Sequence, residues 1–105
     1  IMKKFLILFV FLFSSTNLVA EDYFKALELF NLRKIEDSLI LFKKVANKEG
    51  DIKRSDAMFN LAIIYDNGFG VPVDKTRALY YYEAASGLSN KYAQYNLGWK
   101  YYNGD

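Results

Sequence analysis

The chain contains no cysteine and no histidine. The first absence excludes disulfides, thiol nucleophiles and thiolate metal ligands, and the two together exclude Cys/His zinc sites. Without an imidazole base, an ordinary Ser-His-acid triad cannot be assembled either. The lack of cysteine leaves the compartment open, because exported proteins also manage without disulfides. A basic run is missing as well. The formal charge of +2 comes from 14 basic against 12 acidic residues, and Lys3 and Lys4 account for the whole excess. A nucleic-acid backbone is met by clustered Lys and Arg, so no nucleic-acid partner is expected. Neither Ser-x-x-Lys nor Gly-x-Ser-x-Gly occurs, which removes the common serine-acylation signatures. Gly68-Phe69-Gly70 follows no strand pattern and precedes no Lys-Ser/Thr, so it does not read as a phosphate loop. Glu36-Asp37 and Lys43-Lys44 read as solvated helix surface, since a working carboxylate needs burial or a charged partner. No cofactor, no metal site and no catalytic residue is expected. At 105 residues the chain holds one small domain.

What is present begins with an export address. Met2-Lys3-Lys4 is a short positive start, Phe5 to Phe13 is an unbroken apolar run, and Ser14 to Ala20 is more polar and ends in a small residue. That three-part layout is a secretory signal peptide over residues 1–20. Nine apolar residues fall well short of the about 20 that a membrane span needs. The membrane is therefore expected to matter only during export, and the mature chain is expected in the periplasm or outside the cell.

From residue 21 onward apolar positions follow the helical period. Tyr23, Ala26, Leu27 and Phe30 form one stripe; Ile35, Leu39, Phe42 and Ala46 a second; Ala57, Leu61, Ile64 and Tyr65 a third. Ala78, Tyr81, Tyr82 and Ala85 form a fourth, and Ala93, Leu97 and Tyr101 begin a fifth. The pattern predicts helices near 22–31, 35–47, 54–66, 75–86 and 91–102. Asp74 and Asn90 stand where N-caps are needed. Gly87 stands where a left-handed residue should end the fourth helix. Gly50-Asp51 separates the second helix from the third. Tyr65, Tyr81 and Tyr101, on the stacking stripes, are expected as buried rings whose hydroxyls reach a partner. Five short helices on short loops pack as antiparallel hairpins.

The segments Ala57–Phe69 and Ala93–Asp105 lie 36 residues apart and share Ala, Asn, Leu, Tyr, Asn and Gly at six of 13 positions. A fixed offset of this size marks a helical-hairpin repeat. The pattern Ala57-x3-Leu61-Ala62-x2-Tyr65-x2-Gly68-x-Gly70-Val71-x2-Asp74-x2-Arg77-Ala78-x2-Tyr81-x2-Ala84-Ala85-x-Gly87 resembles the Sel1-like repeat, a relative of the tetratricopeptide repeat. Ala62 stands where that family usually has Gly, which Gly98 keeps; Arg77 replaces the usual Lys and Tyr81 the usual Trp. The resemblance implies an all-α helical-hairpin solenoid over residues 21–105. It divides into a looser hairpin at 22–50, a full repeat at 55–90 and a partial repeat at 91–105. The chain stops where a linker to a second helix is expected, so it reads as a piece of a longer array, with self-association through the uncapped last helix as one consequence.

The resemblance also implies a scaffold or adaptor that binds a protein or peptide on a concave helical surface, and no enzyme. In tetratricopeptide-like folds the face resembling Asp56, Phe59, Ile63 and Asp66, continued by Tyr92, Tyr95, Trp99 and Tyr102, lines the groove. Spacing of i, i+3, i+7 and i+10 keeps each set on one helix face, and aromatic residues there are natural anchors. The aspartates are expected at its wet rim. Two other functions stay open: a periplasmic hydrolase of the β-lactamase type described for Cys-rich relatives, whose cysteines this chain lacks, and a purely structural segment of a longer array.

Overall fold

The computed structural model describes residues 21–104; the predicted signal peptide and Asp105 lie outside the described residues. Five helices make up the described chain, with no strand among its residues: α1 (21–31), α2 (Ile35–Ala46), α3 (Arg54–Asn67), α4 (Lys75–Gly87) and α5 (Lys91–Asn103). Each predicted helix is present, and the ends differ by at most a residue or two. Consecutive helices pack as hairpins and α3 lies in the middle, against both α2 and α4. Its burial is accordingly two-sided, with Ala57, Met58, Leu61, Ala62, Ile64 and Tyr65 all buried.

The first hairpin is closed by a contact between small residues. Ser38 on α2 is fully buried, and its hydroxyl donates to the Ala26 carbonyl of α1 at 2.8 Å. Helices approach most closely where side chains are small, and the hydroxyl is satisfied in the act. The apolar stripe passed over Ser38 because it is polar, although it sits deeper than Leu39. Between α2 and α3, Asp51 accepts the Lys53 backbone N–H at 2.8 Å, and the Arg54 guanidinium donates to the last carbonyl of α2, Ala46, at 2.9 Å. These bonds satisfy backbone groups that a helix end leaves orphaned.

The loop from α3 to α4 turns on two left-handed glycines. Gly68 (φ 70°) closes α3, its N–H donating to the Ile64 carbonyl at 2.9 Å. Gly70 (φ 71°) has a further role: a Cβ there would run into the side chain of Ile35, so its bareness lets the loop press on the start of α2. Asp74 then caps α4 by accepting from the Arg77 N–H at 2.9 Å.

The end of α4 corrects an expectation. Gly87 is still helical; the left-handed residue is Ser89 (φ 64°). The Ser89 N–H donates to the Ser86 carbonyl and the Asn90 N–H to the Ala85 carbonyl, the paired bonds of a Schellman ending. The helix runs on because Asn90 is needed as the next cap, and counting back from it places the reversal at position 89. The α1 end repeats the geometry with Arg33 (φ 65°), Arg33 N–H bonding Phe30 and Lys34 N–H bonding Leu29.

Candidate functional site

The eight residues of the predicted binding face divide by helix. On α3 the face is largely occupied by packing. The Phe59 ring lies between Tyr82 of α4 (centroids 6.2 Å apart) and Tyr92 of α5 (5.7 Å). Ile63 is half-buried in a cleft of about 240 Å³ that α1 shares through Leu27, Phe30 and Asn31. Asp56 accepts from the Asn90 side chain at 3.1 Å and faces Lys53 at 3.6 Å. Asn90 thus caps α5, accepting the Ala93 N–H at 3.0 Å, and pins the start of α5 to the start of α3.

Asp66 departs furthest from the expected wet rim. Only 14% of its side chain is exposed. It takes Lys75 at 2.7 Å, Lys100 at 3.0 Å and the Tyr82 hydroxyl at 3.2 Å, joining α3, α4 and α5 through one carboxylate. Burial pushes the Asp66 carboxyl up, but the hydrogen bonds and charges of Lys75 and Lys100 outweigh it and hold it below its ordinary value. Lys100 is itself 11% exposed and occupies the position equivalent to buried Ile64, so the long stem fills the apolar site while the ammonium reaches the carboxylate. Burial, and then the Asp66 charge it faces, raise the Tyr82 hydroxyl well above the usual phenol range. Sequence reading missed this hub because its three donors come from positions 75, 82 and 100, related by no repeat spacing.

On α5 the face is open. Tyr92, Tyr95, Trp99 and Tyr102 are all exposed. Trp99 and Tyr102 stack with centroids 6.3 Å apart. Gln94, Tyr95, Gly98, Trp99 and Tyr102 line a shallow depression of about 560 Å³. One contact joins the two halves of the face, Phe59 on Tyr92.

Of the three tyrosines expected in the core, Tyr65 is 5% exposed and stacks on half-buried Tyr81 at 6.2 Å, with Arg77 donating to its hydroxyl at 3.3 Å. Tyr101 is 66% exposed, although its hydroxyl does donate to Glu83 at 3.0 Å. The periodicity placed it correctly on its helix; among the described residues no helix lies against it as α4 lies against Tyr65.

The surface is an arrangement of rings and hydrogen-bonding edges, suited to recognition by burial and stacking. Among the described residues no three His, Cys, Asp or Glu side chains converge as metal ligands, and no helix is long and apolar enough to cross a membrane. Comparison with known families finds the Sel1 repeat at residues 55–90 and again at 91–105. No curated protein and no solved structure matches the chain. Sel1 repeats generally mediate protein–protein interaction and are typically non-catalytic. The two matches begin 36 residues apart, the offset found within the sequence, and residues 55–105 are made of Sel1 repeats.

Proposed function

We propose that the protein is an exported interaction module that takes a protein or peptide partner on the face of α5 and the neighbouring edge of α3. The observation that carries the reading is the exposed row Tyr92, Tyr95, Trp99 and Tyr102 on one side of a single helix. Contiguous exposed apolar surface marks an interaction site, and Tyr and Trp are the side chains that dominate binding energy. Asp56 and Asp66 support the surface by fixing α3 to its neighbours. The export half of the reading rests on the layout of residues 1–20.

The test is capture of partners from periplasmic extract by the wild type and by a Tyr95→Ala/Trp99→Ala variant that keeps its helical circular dichroism. Loss of two such anchors typically costs about 2 kcal/mol or more, so captured partner should fall at least about tenfold. Undiminished capture would move the site to the opposite face, where Tyr80 is exposed. N-terminal sequencing of the cellular protein should begin near Glu21; an intact Met2 would end the export claim.

A further inference from the structure

Two tyrosines in equivalent places have hydroxyl partners of opposite charge. Tyr65 on α3 and Tyr101 on α5 correspond at the 36-residue offset. Each meets a side chain of the helix before it, α2 or α4. Ser38, Phe42 and Val45 of α2 and Ala78, Tyr82 and Ala85 of α4 are buried alike, 40 residues apart, which sets Lys43 against Glu83. The Tyr101 O–H donates to Glu83 at 3.0 Å. At Tyr65 the same place holds an ammonium, with Lys43 Nζ 5.8 Å from the ring centroid. The sequence pair Lys43-Lys44, read as solvated surface, thus divides. Lys44 pairs with Asp22 at 3.0 Å, while half-buried Lys43 goes to the ring.

Arg77 of α4 joins it. The guanidinium carbon is 5.0 Å from the Tyr65 centroid, and Nη1 donates to the hydroxyl oxygen at 3.3 Å. Burial pushes the Tyr65 hydroxyl up, but hydrogen bonds from Arg77 and then Lys43 outweigh it and hold the phenol below its ordinary value. At Tyr101 the hydrogen bond to Glu83 raises the hydroxyl instead. Two like charges drawn to one neutral oxygen repel each other. Asp74 Oδ2 stands 3.7 Å from Arg77 Nε, with Oδ1 held by the Arg77 backbone N–H as the α4 cap. Lys43 has no ion pair among the described residues, and the Tyr65 O–H meets no acceptor among them. An ammonium, a guanidinium and a phenol carry more donors than one phenol oxygen and one carboxylate take up. Charged donors gathered at one point bind oxyanions.

We propose that Lys43, Arg77 and the Tyr65 hydroxyl hold a small oxyanion, a phosphate, sulfate or carboxylate group, where the later repeat keeps the carboxylate of Glu83. The site is formed wholly within residues 35–87 and goes beyond the interaction-module reading, which stands on α5. Tyr65 and Arg77 fall in the Sel1 match at 55–90 and Lys43 lies outside it, so the paired cations belong to this chain rather than to one repeat.

The test compares melting temperature and the Arg77 Nε–H resonance in sodium phosphate, sodium acetate and sodium chloride at equal ionic strength. At about 50 mM, phosphate or acetate should raise melting by a few degrees over chloride and shift the resonance saturably. Tighter binding of phosphate identifies a tetrahedral anion, and tighter binding of acetate a carboxylate. Lys43→Glu rebuilds the Glu83 arrangement, so it should melt at or above wild type in chloride. Its anion affinity should fall at least about tenfold, the worth of one charged hydrogen bond. Lys43→Gln removes only the charge and should show the same loss. Lys44→Glu makes the same change in net charge one residue on and should bind as wild type does. Three results overturn the proposal: no response of the wild type beyond that in chloride, an undiminished response in both Lys43 variants, or an equal loss in Lys44→Glu. Partner capture through α5 bears on none of these, so the two readings can fail separately.

Discussion

At position 66 one carboxylate gathers two ammonium groups and a phenol, and the balance of forces there can be read from solution behaviour. Its surroundings stabilise the charged form, so the folded carboxyl titrates below its ordinary value of 3.8. A depressed folded pKa adds stability that is complete above the unfolded value and is lost as pH falls through the folded one. Asp66→Asn should therefore destabilise the protein by roughly 2 kcal/mol near neutral pH, because nearly buried Lys100 loses its countercharge. The gap in melting temperature between wild type and variant should then narrow as pH falls from about 5 to about 3. Thermal melts across that range check it; a gap independent of pH would show that the carboxylate's charge is not what matters. No spacing rule foretold this role. Asp66 looked like a rim residue because a carboxylate on a binding face is expected in water, and only the tertiary fold brings Lys100 across from another helix.

At the scale of one helix, the end of α4 shows why a glycine is a weaker signal than the hydrogen bonds around it. Gly87 adopts ordinary helical geometry with open space at its Cβ, while Ser89 carries the left-handed turn. Alanine at a helical glycine gains roughly 0.5–1 kcal/mol, and glycine at a left-handed L-residue relieves about 1 kcal/mol or more. Gly87→Ala and Ser89→Gly should each raise the melting temperature, by a few degrees for a domain of this size. If Gly87 were the left-handed residue, Gly87→Ala would lower it instead. Differential scanning calorimetry of the two variants decides the point.

Across the whole molecule, stability should be graded from the centre toward α5. Tyr65 is 5% exposed and its counterpart Tyr101 66%, and a large side chain left in water forgoes roughly 1.5–3 kcal/mol. Repeat proteins gain stability from neighbouring repeats, so an uncovered helix opens by itself. Amide exchange across Leu97–Tyr101 should be at least about tenfold faster than across Leu61–Tyr65. Equal protection in a monomer would show that α5 needs nothing on its open face.

Local chemistry in the sequence was enough for five helices, their breaks, the caps at Asp74 and Asn90, and the 36-residue repeat. Helical periodicity and capping side chains act over a few residues, so a linear pattern records them. It was also enough to place Tyr92, Tyr95, Trp99 and Tyr102 on one face of α5, since that follows from helical spacing. Which of the predicted face residues remain open was decided by packing. Phe59 and Asp66 have the same helical phase as Tyr95 and Tyr102, yet α4 and α5 cover the first pair and nothing among the described residues covers the second. Phase around a helix is a property of spacing, whereas exposure depends on which other helix arrives there. The buried serine at position 38, the Asp66 hub and the exposure of Tyr101 all arise from that second cause.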